Sequence, residues 1–564
     1  MTPAPATTTV APTDARGRRS IRVERRLRAA FLVSGLLIVA LVAGARLVGM
    51  HAGGSMGPAQ RQVALLGALL LAAGFVAAPS RFLAGVLDRA QAAREPRIRP
   101  LARRTRWQLA AIVLLALFVR GVMIRSYWPA NQMTSGMTLW DAEMARNLLQ
   151  GRGWVLNWSF VQRLDRAVVE SNVMVDPQDY LPADDHAPGA LAPLAQFAHT
   201  PGYSMWLAAS FAIGGGLRFA YSQWMQVALD SLACLLVFGI GRRLWSTTAG
   251  LIGALIYACS LAHVYLSIQT VAAATDSFWA LLIAYGVVRL WSDREQQPIP
   301  FVGMGCIVAA TVCEAAINSY MFWMPLFVAA WAALISVAVP SARRLALRLV
   351  IAQAAVIALL TPWALRNQRV YGQFAYTRQQ FWEFVWELPI GNVPNPWGMT
   401  FGNNDAAFEQ WIAARCPAPC PPVQRESITR DFLTSEVLPS KQFPPLFVRA
   451  VLKRLPALVY ASRLPVDKPF VAASTPGRAW AAALGAINLA ALALWPAAAL
   501  GFLVIARRPG ATPVWLALAP TIFLIAFSLA FMAEHRKTTP AYGYLLALSG
   551  AGIAACLDRR TAFA

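Results

Sequence analysis

The stretch that decides the fold is WQLAAIVLLALFVRGVMIRSY, residues 107–127, which is followed after a polar link by WDAEMARNLLQGRGW, residues 140–154. The first part is largely apolar, and its length suits a transmembrane helix, which needs about 20 residues. The second part carries two acids, Asp141 and Glu143, shortly beyond the predicted span. The sequence therefore predicts a membrane protein whose first long loop begins with carboxylates at the membrane surface.

The composition of the whole chain agrees with a membrane protein. Of the 564 residues, 57% are hydrophobic and 14% are charged, whereas soluble globular domains carry about 25% charged residues. The mean hydropathy is +0.48. These values argue against a soluble multi-domain enzyme, and they exclude a disordered chain because disorder needs low hydrophobicity.

Other apolar stretches extend this prediction to an all-α polytopic protein of about twelve transmembrane helices with both termini inside. The remaining predicted spans are 29–49, 63–78, 219–240, 248–266, 275–291, 300–316, 322–338, 345–363, 480–505, 512–533 and 541–557. The apolar stretch 203–213 is too short to span and predicts a helix lying in the interface. Two long polar segments, 128–201 and 366–478, are predicted to share the external face.

The net charge of +23, from 50 basic and 27 acidic residues, supports this topology. So basic a chain can indicate nucleic-acid binding, but the number of spans excludes that class. Short cytoplasmic loops of membrane proteins are rich in arginine and lysine. The predicted topology places these basic groups in the cytoplasm: 81–106, 242–243, 289–294, 343–348, 507–508 and 559–560.

The same pattern predicts five segments. They are a basic cytoplasmic tail, 1–28; two additional helices and a basic linker, 29–106; a transmembrane core, 107–365; a second periplasmic segment, 366–478; and three C-terminal helices, 479–564. The second periplasmic segment contains an amphipathic stretch, 446–460, with Arg449, Lys453 and Arg454 predicted on one face.

Two of the seven cysteines lie in a polar stretch, RCPAPCPP at 415–422. Cys416 and Cys420 are consistent with either a local disulfide or two free thiols, and a disulfide fits a periplasmic location. A zinc site is less favoured because no second ligand pair lies nearby. The other five cysteines sit in apolar runs and are predicted to be core residues.

Several short polar motifs lie where predicted spans meet the external face. Beyond the motif at 140–154, they are AHTPGY at 198–203, ATDS at 274–277, TPWALRNQRVYG at 361–372 and AEHR at 533–536. In this order, and together with Gly-Arg-Arg-Leu at 241–244, they resemble the lipid-sugar-dependent membrane glycosyltransferases of the glycosyltransferase-C superfamily. The bacterial branch related to protein mannosyltransferases and aminoarabinose transferases is the most similar.

The resemblance covers about Trp107 to the C-terminus. It implies a glycosyltransferase-C-like core in the bacterial inner membrane with an active site facing the periplasm. The implied reaction moves a hexosyl or pentosyl group from a polyprenyl-phosphate donor to an acceptor hydroxyl, with inversion. The implied acceptor is a glycolipid, a polysaccharide or a protein. Asp141 and Glu143 lie closer to Ala-Arg-Asn than the acid pair of many relatives, and the first two spans are additional.

The chemistry of this reaction selects candidate residues. The acceptor hydroxyl must lose a proton, and the leaving phosphate needs cations. We expect Asp141 to be the base, with Glu143 as the second candidate. The donor phosphate is expected to bind Arg366, Arg536 and His199. The other expected substrate-binding residues are Asn147, Trp154, Tyr203, Asp276, Asn367 and Glu534.

Simpler roles remain open for these residues. Asp141 also fits the N-cap of a short helix ending near Gly151, and Arg366 and Arg536 fit interfacial anchors. Glu314 fits a buried acid near the external mouth, with Asn318 or an arginine as its partner.

No cofactor is expected with certainty. A divalent metal is allowed but not indicated, since three consecutive ligand types at 184–186 rarely share one ion. The expected partners are the lipid-linked donor, the acceptor and membrane lipids, and nucleic acid is not expected. The alternative function is a transporter or flippase of a lipid-linked envelope precursor, which the apparent lack of inverted repeats and of paired broken spans disfavours.

Overall fold

A computed structural model describes residues 86, 100–127, 136–157, 191–193, 200–292, 301–372, 374–376, 411–416, 422–460, 493–508, 511–530 and 535–557. The chain divides into two compact units. One unit comprises residues 96–502 and 510–554, and the other comprises 1–95, 503–509 and 555–564. The candidate site lies in the larger unit, and the predicted spans at 29–49 and 63–78 lie outside the described residues.

The first half of the larger unit is helical apart from one pair of short strands. Its helices are α1 Arg103–Tyr127, α2 Gly136–Leu149, α3 Pro201–Gly214, α4 Phe219–Leu244, α5 Thr247–Ala258, α6 Leu261–Ser267, α7 Asp276–Ser292 and α8 Phe301–Ile317. The strands β1 Val155–Asn157 and β2 Leu191–Pro193 pair antiparallel within the first long loop.

The second half of the chain contains the remaining α-helices. They are α9 Met324–Ala338, α10 Arg343–Tyr371, α11 Pro422–Phe432, α12 Phe443–Tyr460, α13 Leu494–Ala506, α14 Thr512–Ala517, α15 Ala519–Ala530 and α16 His535–Leu557. Local sequence accounts for several helix ends. Gly215 and Gly372 adopt positive φ after α3 and α10, and Ser246 Oγ accepts a hydrogen bond from Ala249 N at the start of α5.

The fold is that of a helical, multi-pass membrane protein. Among the described residues, six helices are long and apolar enough to cross a bilayer, or seven if one bent helix pair counts as a single span. Shorter apolar helices, including α8 and α13, accompany them. The bounds of α4, α7, α8 and α9 agree with four of the predicted spans to within a few residues, whereas α10 continues to Tyr371, beyond the span predicted at 345–363.

One predicted span is broken. The stretch predicted as a single helix at 248–266 consists of α5 and α6, which meet at an angle of 56°. The break falls at Cys259 and Ser260 and contains neither glycine nor proline. The segment that follows α6 includes a short 3-10 helix, Ala272–Thr275, and leads directly into α7.

The amphipathic helix α12 has its polar residues arranged differently from the prediction. Leu446, Ala450 and Arg454 are buried, whereas Arg449 is exposed. Residues four apart lie on one helix face, so Arg454 belongs to the buried face rather than to a basic face shared with Arg449. Its Nη1 donates to Leu529 O at 3.1 Å and to Ala530 O at 2.7 Å, at the end of α15.

Candidate functional site

Asp141 is a buried carboxylate in the interior of α2. The helix begins at Gly136, so the N-cap role considered for Asp141 is wrong. The residue is 2% exposed, and its Oδ1 accepts a hydrogen bond from Ser204 Oγ at 2.6 Å. Ser204 belongs to α3, the predicted interfacial helix, which thereby orients the carboxylate of the first loop.

An apolar cluster beneath Asp141 holds α2 against α3. Ala142 and Ala145 pack with Tyr203, Leu207 and Ile317. A larger side chain at either alanine would push the two helices apart, because packed interiors have little free volume. Small residues in the Asp-Ala-Glu-Met-Ala motif therefore allow the close approach that brings Asp141 to Ser204.

Glu143 lies in a different environment from Asp141. It is fully buried, and its Oε1 lies 3.7 Å from Arg146 Nη2, one turn along the same helix. Residues two apart do not face each other on a helix, so the two acids point in different directions rather than forming a single acidic pair. Their environments distinguish Asp141, oriented by a hydroxyl, from Glu143, compensated by a guanidinium.

Tyr203 connects the Asp141 region to α4. Its hydroxyl lies 3.5 Å from Gln226 Nε2, which also donates to Val271 O at 3.2 Å. Burial, and after it the charge of Asp141, raise the pKa of Tyr203 well above its usual range. The phenol therefore stays protonated and can only donate or accept hydrogen bonds.

Asp276 lies beside Asn318. The first residue of α7, it accepts a short hydrogen bond from Asn318 Nδ2, and both side chains are buried. Glu314, also fully buried, accepts a hydrogen bond from Asn318 N through its backbone carbonyl at 2.7 Å. Asn318, the partner expected for Glu314, thus donates its side-chain amide to Asp276.

Close backbone packing joins this second acidic region to α3. A Cβ atom on Gly202 would lie 2.6 Å from the carbonyl carbon and oxygen of Ala316. Only glycine allows α3 to begin against the end of α8 at this distance. The Thr-Pro-Gly-Tyr motif therefore places Tyr203 and Ser204 next to the turn that carries Asn318.

Arg366, Asn367 and Trp154, predicted separately, are brought together at the end of α10. The ring of Trp363 lies edge-on to Trp154, with centroids 5.6 Å apart, and the guanidinium carbon of Arg366 lies 4.9 Å from the Trp363 ring centre. Arg366 Nη1 donates to Asn367 Oδ1 at 3.2 Å, and Asn367 Nδ2 donates to Ala375 O at 2.7 Å. We call Trp154, Trp363 and Arg366 the tryptophan–arginine cluster.

Asn147 links this cluster to the helix that carries Asp141. Its Nδ2 donates to Val155 O at 2.8 Å, and its carbonyl accepts from Arg152 N at 2.8 Å. Gly151 and Gly153 have φ values of 71° and 84°, which suit glycine. Asn147 therefore fixes the turn that presents Trp154. Along the axis of α2, Asp141 lies about 9 Å from Asn147.

Several expected residues cannot be placed. His199 and Glu534 lie outside the described residues, as do the acids and histidine at 184–186. Arg536 belongs to α16, and only its place in that helix is described. In the described part of the chain, no group of three or more histidine, cysteine, aspartate or glutamate residues is arranged to hold a metal ion.

Sequence reasoning missed four residues that complete these contacts, namely Ser204, Arg146, Trp363 and Gln226. Trp363 and Arg146 lie inside the quoted motifs, so the motifs themselves contained the signal. Ser204 directly follows Thr-Pro-Gly-Tyr, whereas Gln226 is a polar residue in an apolar span, where polar groups are costly.

No protein-family model and no curated protein matches the chain. A crystal structure of ArnT from Cupriavidus metallidurans bound to undecaprenyl phosphate is similar at 14% identity and a TM-score of 0.31, covering 79% of this chain and 77% of that one. A likeness at this level does not by itself assign a family or an activity.

Proposed function

We propose that the protein is a membrane glycosyltransferase that moves a sugar from a polyprenyl-phosphate donor to an acceptor hydroxyl at the periplasmic face. The observation that carries the proposal is the arrangement around α2. A buried carboxylate, Asp141, is oriented by Ser204, and the same helix holds the turn that presents Trp154 to Trp363 and Arg366.

Each group has a role in the reaction. The acceptor oxygen attacks the anomeric carbon and passes its proton to Asp141 as the new glycosidic bond forms. The bond between that carbon and the phosphate oxygen breaks, and its electron pair stays on the polyprenyl phosphate. Arg366 stabilises the charge gained by the phosphate. Attack on the face opposite the phosphate inverts the anomeric configuration.

The surroundings of Arg366 fit a lipid headgroup. Its guanidinium is held by Asn367 and by the Trp363 ring, so little side-chain freedom is lost on binding a phosphate. Trp363 Nε1 is buried and has no hydrogen-bond partner among the described residues. A hydroxyl or phosphate oxygen of the donor would satisfy this indole N–H.

A periplasmic site is supported by cysteine chemistry. Cys416, in the second long polar segment, is disulfide-bonded, whereas five other cysteines in the described part of the chain form no disulfide. Disulfides persist in the bacterial periplasm and are rare in the cytosol. This supports the predicted placement of the segment 366–478, which begins with Arg366, on the same external side as the first loop.

The experiment that tests the function is mass spectrometry of envelope glycans, glycolipids and polyprenyl lipids. A deletion strain is complemented with wild-type protein, Asp141→Asn or Asp431→Asn. Asp431 is the matched control because it is an exposed acid on α11, 2.9 Å from the neighbouring Arg430.

We expect the deletion strain to lose one glycosylated product and to accumulate a polyprenyl-phosphate sugar. Asp431→Asn should restore the wild-type pattern, whereas Asp141→Asn should not. Unchanged glycans and donor lipids in the deletion strain would refute the proposed function.

The alternative, a transporter or flippase, is favoured by one observation, the break between α5 and α6. Discontinuous helices mark the binding sites of many transporters. Proteoliposomes containing a labelled polyprenyl-phosphate sugar distinguish the two functions. With an acceptor present, a flippase changes which leaflet holds the label without altering the lipid, whereas the proposed enzyme transfers the labelled sugar from the phosphate to the acceptor.

A further inference from the structure

The break between α5 and α6 needs hydrogen-bond donors inside the membrane. A helix that stops within a bilayer leaves carbonyl groups without partners, and lipid cannot satisfy them. Beyond the break, nearly every residue from 262 to 275 is buried. Protein side chains must therefore hold this segment in place.

Arg120 is one of these side chains. It is fully buried in α1, and its Nη1 donates to Ala258 O at 3.1 Å and to Ala116 O at 3.2 Å. Ala258 is the last residue of α5. The guanidinium thus satisfies a carbonyl that the break would otherwise expose.

The charge of Arg120 is balanced by Asp230 of α4. Arg120 Nε and Nη2 donate to Asp230 Oδ2 at 2.7 and 2.5 Å. The other carboxylate oxygen accepts from Tyr257 Oη at 2.5 Å, one residue before the end of α5. The pair therefore ties α1, α4 and the end of α5 together, with no net charge buried.

The same face of α4 holds the chain beyond the break. Gln223 Nε2 donates to Ile268 O at 3.0 Å, and Gln226 Nε2 donates to Val271 O at 3.2 Å. With Asp230, these residues lie three and four apart, which places them on one helix face. Three polar residues of α4 thus fix the path from the break towards Asp276.

We propose that the ion pair of Arg120 and Asp230, which we call the lock, stabilises the helix break after Ala258. It thereby positions Asp276 and Tyr203 in the candidate site. Asp230 and Gln226 lie one turn apart on α4, and Gln226 contacts both Val271, in the segment before Asp276, and the Tyr203 hydroxyl. Arg120 and Asp230 are positioning residues. The link to catalysis rests on the proposed function, whereas the lock itself does not.

A paired substitution separates positioning from simple stabilisation. Single loss of either charge leaves the other buried, so the protein can fail to fold. The double variant Arg120→Met with Asp230→Leu removes both charges and keeps a similar volume, a change that buried ion pairs often tolerate. It nevertheless removes the donor to Ala258 O. Arg120→Lys serves as a second variant that keeps the charge but loses the planar fork.

The measurements are melting temperature, hydrogen–deuterium exchange of peptides covering 257–276, and product level in the complemented deletion strain. Arg125→Ala is the matched control, since Arg125 is exposed on the same helix. We expect the double variant to melt near the wild-type temperature, with about tenfold faster exchange at 257–276 and at least a tenfold loss of product. Arg125→Ala should match the wild type in all three measurements.

Two results would overturn the inference. Unchanged exchange at 257–276 in a folded double variant or in Arg120→Lys would show that the pair does not hold the break. Faster exchange with full product formation would show that the break does not position the site. If the deletion strain loses no product, the proposed function fails, and exchange alone then decides whether the lock exists.

Discussion

At the scale of single residues, two acids two positions apart lie in different environments because a helix turns by about 100° per residue. Asp141 points to the Ser204 hydroxyl, and Glu143 lies near the Arg146 guanidinium. A base must be able to accept a proton from the acceptor, whereas a buried acid beside a cation mainly compensates charge. We therefore propose Asp141, rather than Glu143, as the base.

This assignment predicts opposite phenotypes for two conservative variants. Asp141→Asn keeps the shape of the side chain but removes the base, so kcat should fall by about 10²–10⁴-fold with little change in melting temperature. Glu143→Gln leaves Arg146 less compensated and should lower the melting temperature by several degrees. Steady-state kinetics and thermal unfolding in detergent measure both effects. Near-wild-type kcat for Asp141→Asn would remove it as the base.

Arg366 should govern donor affinity. Loss of a charge-assisted phosphate contact, worth roughly 1.5–3 kcal/mol, corresponds to about a tenfold to hundredfold rise in donor KM for Arg366→Ala. Arg369→Ala is the matched control, because Arg369 is exposed in the last turn of the same helix. The acceptor KM should stay within about twofold for both variants. An unchanged donor KM for Arg366→Ala would argue for a purely interfacial role.

The candidate residues could be found from sequence, but most of their contacts could not. Asp141, Arg366 and Trp154 stand out because charged and aromatic residues cluster where spans end. Ser204 lies 63 positions from Asp141, and no periodicity relates the two. Such pairs depend on how α3 lies against α2, which the packing of small side chains decides.

At the scale of elements, the position of the start of α3 depends on the absence of a side chain at Gly202. Gly202→Ala would place a Cβ atom 2.6 Å from the Ala316 backbone, and backbone cannot move aside as a side chain can. We expect Gly202→Ala to lower the melting temperature and to reduce activity, because Ser204 would shift from Asp141.

Gly305 is the control for this substitution. It lies within α8, and a Cβ there would meet nothing within 4 Å. Alanine favours helix over glycine by roughly 0.5–1 kcal/mol, so Gly305→Ala should leave the melting temperature equal or higher. Equal destabilisation by both variants would contradict the close approach at Gly202.

Arg454 should stabilise the end of α15. It supplies a donor to two terminal carbonyls and places a positive charge at a helix C-terminus, which can be worth up to about 2 kcal/mol. Burial lowers its pKa to about 10, so it remains charged at neutral pH. Arg454→Ala should lower the melting temperature by several degrees, whereas Arg449→Ala, on the exposed face of the same helix, should not.

Hydropathy predicted the helices well and the break in α5–α6 poorly. Spans from 219 to 363 are bounded by polar and charged residues, which mark where the chain leaves the lipid. The break has no such mark, since Cys259 and Ser260 are compatible with a helix. We infer that it exists because Arg120 and Asp230, on other helices, form hydrogen bonds with residues at the end of α5. The local sequence around the break does not indicate these residues.

At the scale of the whole molecule, contacts of one tyrosine bring together two arginines that are predicted to lie at the cytoplasmic face. Arg243 lies over the Tyr285 ring at 5.0 Å, and Arg289 Nη1 lies 3.4 Å from the Tyr285 hydroxyl. The two arginines lie in the last turns of α4 and α7, which the predicted topology places at the cytoplasmic face. Their convergence on one tyrosine agrees with both helices ending at the same end of the bundle.

Labelling of single cysteines tests this sidedness. A membrane-impermeant maleimide should react in intact spheroplasts with Lys441→Cys, in the second polar segment. It should react with Arg344→Cys only after lysis. Peptide mapping without reductant should also find Cys416 oxidised, and the sequence offers Cys420 as its nearest partner. Labelling of Arg344→Cys in intact spheroplasts would show that the true topology is the reverse of the predicted one.

The Arg120–Asp230 pair also constrains how the chain is made. Its two members are 110 positions apart, so at about 5–20 residues per second Arg120 is synthesised roughly 5–20 s before Asp230. During that interval α1 holds a guanidinium whose final partner does not yet exist. We therefore expect its release into lipid to await α4, so that the first core helix remains beside the insertion machinery while the loop carrying Asp141 is synthesised.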